Sequence, residues 1–146
     1  MTGRYPLTKL NNYPRMLKHE VKIWETFLEK YGHEWESVDY DVRVGLPEQI
    51  DNRAPASYKA MIEDLSRSRI DAILYRKNEI CIVEIKERAG LGILGQLIAY
   101  VQRFDEAYIG DETITACVVC QSIRPDAAEL ILDRNIDIYV IEREEK

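Results

Sequence analysis

The stretch from Arg69-Ile70-Asp71 to Glu84-Ile85-Lys86 constrains this chain more than any other, because it reads as one β-hairpin with two carboxylates near its open end. Residues Ile70 to Arg76 and Glu79 to Lys86 are rich in β-branched and apolar side chains, and only the polar dipeptide Lys77-Asn78 separates them. A two-residue loop sets Arg76 opposite Glu79. Counting outward sets Asp71 opposite Glu84, and Arg69 opposite Lys86. Directly opposed side chains have Cβ atoms about 4.5–5.5 Å apart. Two carboxylates held that close repel unless a cation or a shared proton lies between them. Lys86, two residues beyond Glu84, emerges on the same face. The cluster suits a divalent cation on oxygen ligands with an ammonium nearby. It also suits a cross-strand salt-bridge network in which Arg69 and Lys86 neutralise the acids.

The 146 residues are expected to form a single domain, 1–146, with one continuous core. No apolar run reaches the length of a membrane span and no signal-peptide layout opens the chain, so the expected location is cytoplasmic, with no membrane partner. Cys117-x-x-Cys120 has the spacing of half a metal site, but residues three apart on a strand point to opposite faces. These two and Cys81 are read as buried, reduced thiols. A net charge of −6 argues against indiscriminate nucleic-acid binding. The distribution is uneven, however: Arg4, Lys9, Arg15, Lys18 and Lys22 lie near the start and most of the acids of the last segment near the end.

Asn12, Tyr13 and Pro14 predict a helix start, with the helix running to about Tyr31 before Gly32. Leu17, Val21, Trp24, Phe27, Leu28 and Tyr31 form its apolar stripe, and Glu20 falls inside it. Val38 to Val44 reads as a strand. An irregular segment from Gly45 to about Ser68 follows, with a short helix over Ser57 to Leu65 as one reading. After the hairpin come a helix over about Leu91 to Ile109, a buried strand from Thr113 to Cys120, a helix opened by Pro125 and ending near Arg134, and a strand from Ile136 to Ile141. Glu144 to Lys146 reads as a frayed tail. The first three strands suit a meander and the last two suit right-handed parallel crossovers. The expected fold is α/β, a mixed sheet of about five strands in the order αβββαβαβ, with helices on both faces.

Glu20 extends the hairpin cluster, because a carboxylate within an apolar stripe costs desolvation unless a cation pairs with it. Lys86, Arg69 or a metal held by the same acids would serve, as would simple access to water at the stripe's edge.

These residues and this element order resemble the PD-(D/E)XK phosphodiesterases, which include type II restriction enzymes, archaeal Holliday-junction resolvases and RecB-type nuclease domains. Asp71 matches the family's aspartate, Glu84-Ile85-Lys86 its (D/E)-x-K, and Glu20 the glutamate that many members carry on the first helix. Gln96-x-x-x-Tyr100 is similar to a motif of the RecB-type nucleases. The family's usual proline before the aspartate is Ile70 here, and the cysteines that hold an iron–sulfur cluster in some relatives are unmatched, so no cluster is expected. The resemblance implies a restriction-endonuclease-like three-layer fold and a metal-dependent nuclease acting on DNA. Asp71, Glu84 and the Ile85 backbone carbonyl would hold Mg²⁺ or Mn²⁺, assisted by Glu20. Lys86 would orient a water or counter the phosphate charge, Gln96 would brace the site, and Tyr100 would lie along the nucleic acid. Arg67, Arg69, Arg88 and Arg103 are the candidate phosphate contacts.

Gln96 and Tyr100 point toward single-stranded, flap or end-containing DNA. A Holliday-junction resolvase, working as a homodimer, is the alternative within this class. An inactive module that grips nucleic acid or a partner protein on the same fold is the alternative outside it. Gly92 and Gly95 at the start of the second helix permit either close approach of a ligand or tight packing.

Overall fold

A computed structural model describes residues 3–43, 55–56 and 69–142. Most of the segment from Gly45 to Ser68, with Arg67 and the helix considered over Ser57 to Leu65, lies outside the described residues, as do Val44 and the tail from Glu144.

The elements are α1 (Lys18–Tyr31), β1 (Ser37–Arg43), β2 (Arg69–Arg76), β3 (Glu79–Ala89), α2 (Leu91–Ala107), β4 (Thr113–Ile123), α3 (Pro125–Asp133) and β5 (Asp137–Val140), with a short 3₁₀ turn over Gly32–Glu34. Their order is the one the sequence predicts. The sheet runs β1-β2-β3-β4-β5; β1, β2 and β3 are antiparallel neighbours, and β3, β4 and β5 are parallel. The two-residue link between β2 and β3 can only reverse the strand, whereas α2 and α3 supply the length that parallel pairing needs.

Two apolar layers flank the sheet. On one face Trp24, Phe27 and Leu28 of α1 pack on Leu74, Val83 and Val119, and on the other Ile93 and Leu97 of α2 and Ile131 of α3 pack on Ile73, Ile82 and Val118. Strand alternation divides the thiols as expected, with Cys117 in the α1 layer and Cys120 in the α2 layer; both, like Cys81, are buried and unbridged. No described helix is long and apolar enough to cross a membrane.

Helix α1 starts four residues later than Pro14 predicts. Arg15 takes a left-handed φ of 56°, which no helical turn accommodates, and Tyr13 is instead buried, its hydroxyl receiving the Leu10 N–H (3.0 Å) and donating to Glu25 (3.2 Å). Leu17 therefore becomes the cap residue and is 58% exposed rather than part of the stripe, while Ile23 joins Trp24, Phe27 and Leu28 in the core.

The hairpin has the predicted loop and register, with Arg76 opposite Glu79 and Ala72 opposite Val83. Asn78 supplies the left-handed residue of the loop, with φ 65°. At this closed end opposite charges meet: Arg76 Nε donates to Glu79 Oε1 (2.8 Å), and Thr115 Oγ1 donates to Glu79 Oε2 (2.7 Å). The pairing of Arg69 with Lys86 does not form. The β2–β3 ladder stops at Ala72, and Arg69 lies opposite Arg43 on β1, with its guanidinium 3.3 Å from Asp41.

Buried beneath α1, the Trp24 indole N–H donates to the Tyr40 hydroxyl (2.8 Å). Removing the acceptor strands a buried donor, so Tyr40→Phe is expected to lower stability by about 1–3 kcal/mol in chemical denaturation. The double variant Trp24→Phe/Tyr40→Phe is expected to lose less than the sum of the two single changes.

Candidate active site

The open end of the hairpin lies where β2 begins and β3 runs on toward α2. Past Ala72 and Val83 the strands exchange side-chain contacts in place of ladder bonds. The Ile85 N–H donates to Asp71 Oδ2 (2.8 Å), and the Asp71 N–H donates to Glu84 Oε1 across a long 3.4 Å. Each acid is thus fixed by a backbone amide of the opposing strand. Glu84 is only 4% exposed, and no other charged side chain among the described residues is so deeply buried.

Burial is the main force on both groups. It raises the Glu84 carboxyl well above the ordinary range, and the neighbouring Asp71 charge raises it further. Burial also raises Asp71; the Ile85 amide opposes the shift and the Glu20 charge adds to it. Lys86 is exposed and its charge favours the ionised form of both acids, though burial outweighs it. Two carboxyls in this state share protons or hold a cation, and they make a poor salt-bridge network. The arrangement can therefore concentrate positive charge at one point on the sheet's rim.

Glu20 comes from α1, close enough for its charge to act on Asp71. Its position differs from the mid-stripe one predicted. Because α1 begins at Lys18, Glu20 falls in the first turn, partly buried, and Oε1 accepts the Leu17 N–H (3.1 Å). A glutamate there stabilises the helix start by itself, a reading missed because the helix was begun at Pro14. His19 Nε2, 3.7 Å from Glu87 Oε2, links the same turn to the end of β3. Among the described residues, no three side chains of His, Cys, Asp or Glu lie close enough together to hold a metal ion.

On α2, Gln96 is exposed, but Tyr100 is not. The Tyr100 ring is 3% exposed and belongs to the α2-side core with Ile93 and Leu97, so the surface position expected along a nucleic acid is not observed. The buried residues of α2 are Ile93, Leu97 and Tyr100, while Val101 and Phe104 are only partly buried. Gly92 and Gly95 have open space where a Cβ would stand, which leaves no packing reason for either. Arg88 is exposed near the site's edge. Arg103 is engaged with Glu106 (3.4 Å), and Arg69 with Asp41.

The sequence model of a family described as "Endonuclease NucS C-terminal domain" matches residues 66–146, the part that holds β2 to β5 and both hairpin acids. Among solved structures, a repair endonuclease from Pyrococcus abyssi shares 17% identity over 92% of this chain and 50% of its own, with a TM-score of 0.53. A structure described as the EndoMS-dsDNA2 complex shares 14% identity over 94% of this chain and 51% of its own, with a TM-score of 0.52. No curated protein matches. The chain spans about half the length of these solved relatives. The shared feature is the fold, the restriction-endonuclease-like α/β architecture expected from sequence.

The raised carboxyls carry a stability cost with a definite sign. A carboxyl titrating higher in the folded state stabilises the fold below its unfolded value, near 4, and loses that contribution as pH rises through the folded value. Those values are about 6 for Asp71 and about 9 for Glu84, so metal-free protein is expected to lose thermal stability as pH rises from about 4 through this range. Glu84→Gln, which keeps the acceptor for Asp71 N–H and drops the charge, is expected to gain about 1–3 kcal/mol at pH 8 in EDTA and to flatten the profile. Melting curves across pH with and without EDTA are the measurement.

Proposed function

The chain belongs to the family of NucS endonuclease C-terminal domains, and from that premise we propose that it is a metal-dependent nuclease hydrolysing DNA phosphodiester bonds. The observation that carries this is the pair of a partly buried Asp71 and a buried Glu84, held by opposing backbone amides at the open end of one hairpin. An acid pair raised by burial, with the Asp71 charge adding to the shift of Glu84 and the Glu20 charge to that of Asp71, is a site short of positive charge, which fits a hard divalent cation such as Mg²⁺ or Mn²⁺. Asp71, Glu84 and the Ile85 carbonyl are proposed to hold it, with Glu20 assisting from α1. When bound, such an ion lowers the pKa of water and offsets charge growing on a scissile phosphate.

The chain's own groups divide the remaining work. Lys86, exposed beside the pair, orients the attacking water or counters the phosphate's charge, and Gln96 braces the site from α2. Arg88 offers an exposed phosphate contact, whereas Arg69 and Arg103 must share their charge with Asp41 and Glu106. The position of Tyr100 in the core weakens the case for single strands, which rested on Gln96 and Tyr100 acting together. The likeness to an EndoMS complex with dsDNA supports duplex DNA as the proposed substrate, with flaps, ends and junctions as the structures to compare.

The wild-type protein is expected to cut DNA with Mg²⁺ or Mn²⁺ and to stop in EDTA. Asp71→Asn, Glu84→Gln and Lys86→Ala are each expected to lower the rate by about a hundredfold or more while leaving the circular-dichroism spectrum unchanged. Full activity in any of the three would remove that residue from the site. Parallel assays on single-stranded, duplex, flap and four-way-junction DNA rank the substrates.

A further inference from the structure

One residue inside a strand takes a backbone conformation that strands avoid. Arg15, Asp41, Asn78 and Asn135 are the non-glycine residues with positive φ among those described. Arg15, Asn78 and Asn135 lie in turns; Asp41, with φ 54°, sits in the middle of β1. The β1–β2 pairing runs from Ser37–Tyr75 to Arg43–Arg69 with a single position missing, the one at which Asp41 faces Asp71.

The two strands reverse their faces at that position. Val38 and Tyr40 belong to the α1-side core, yet Val42, two residues on, packs against the α2-side core. Across the pair, Leu74 and Ala72 belong to the α1 side and Ile70 to the α2 side. Regular alternation would keep each trio on one face. Both strands therefore turn over at the 41/71 step, and the Asp71 carboxylate swings to the Ile85 amide on the far neighbour.

We infer that Asp41 is a positioning residue, whose left-handed backbone turns Asp71 out of the β1–β2 pairing and aims its carboxylate across β3. Its side chain suits this conformation, since short polar residues tolerate the left-handed region that Cβ-branched ones avoid. The Asp41 carboxylate does something separable: it holds Arg69, Nη1 to Oδ2 at 3.3 Å.

This rests on Asp71 being a ligand-bearing residue of the proposed nuclease, so the test includes a readout that needs neither metal nor activity. Asp41→Asn and Asp41→Gly keep access to positive φ and remove the charge, whereas Asp41→Ala and Asp41→Val disfavour the conformation. In metal-free protein, amide hydrogen exchange at Ile85 reports its bond to Asp71. The expected result is that Asn and Gly retain Ile85 protection, while Ala and Val lose it. In parallel, Mn²⁺ affinity and kcat fall about 10- to 100-fold in Ala and Val with KM for DNA little changed, the usual scale for disturbing a ligand's support. Should Asp41→Val fail to fold, Asp41→Ala carries the comparison. Equal Ile85 protection in all four variants, or a loss in Asn and Gly as large as in Ala, overturns the inference. The Ile85 pattern appearing in a protein that neither binds Mn²⁺ nor cuts DNA upholds the positioning role and removes the nuclease reading.

Discussion

A loop of two residues determines where the two hairpin acids of the site stand. Asn78, in the left-handed region, closes the turn after Lys77, and with Arg76 and Glu79 joined across it the β2–β3 register has no freedom to slip. A slip of one residue would send Asp71 and Glu84 to opposite faces and turn the apolar layers outward. The same strands that bury Ile73 and Ile82 thus bring two acids together at their other end, and the core energy of the hairpin sustains the repulsion there. Stability made in the middle of the sheet is spent at its rim.

The hairpin was open to sequence reasoning because everything that defines it is local. β-branched runs, a polar dipeptide and a count outward suffice to bring Asp71 to Glu84, and the order of helices and strands fixes which strands run parallel. Failures occurred where a distant partner decided the outcome. Arg69 looked free to face Lys86, but Asp41, 28 residues earlier, takes its guanidinium. Pro14 looked like the first turn of a helix, but the bonds of Tyr13 to Leu10 and Glu25 and the left-handed Arg15 moved the start to Lys18, which changed Glu20 from a stripe residue to a first-turn residue that accepts the N–H of the cap, Leu17. Tyr100 looked amphipathic and surface-bound; the choice of which α2 face meets the sheet was made by Ile93 and Leu97. The turn-over at Asp41 has no sequence signal beyond an aspartate amid apolar neighbours.

Two helices converge on the acid pair from opposite layers. The first turn of α1 brings Glu20 and His19 beside the end of β3, and α2 begins within a few residues of Lys86. Among the described residues the sheet keeps the α1-side and α2-side cores apart, and its rim brings the ends of both helices near the same strand.

The opposite rim carries a feature of another kind. Gly3 lies against Val38 so tightly that a Cβ would come within 2.5 Å of its backbone carbon, and the Gly3 and Arg4 amides are held by Ser37 and Asp39 while Tyr5 bridges to Val38. Among the described residues, the start of the chain thus occupies the outer side of β1 from Ser37 to Asp39, and backbone groups that an edge strand would otherwise offer to another strand are already engaged there.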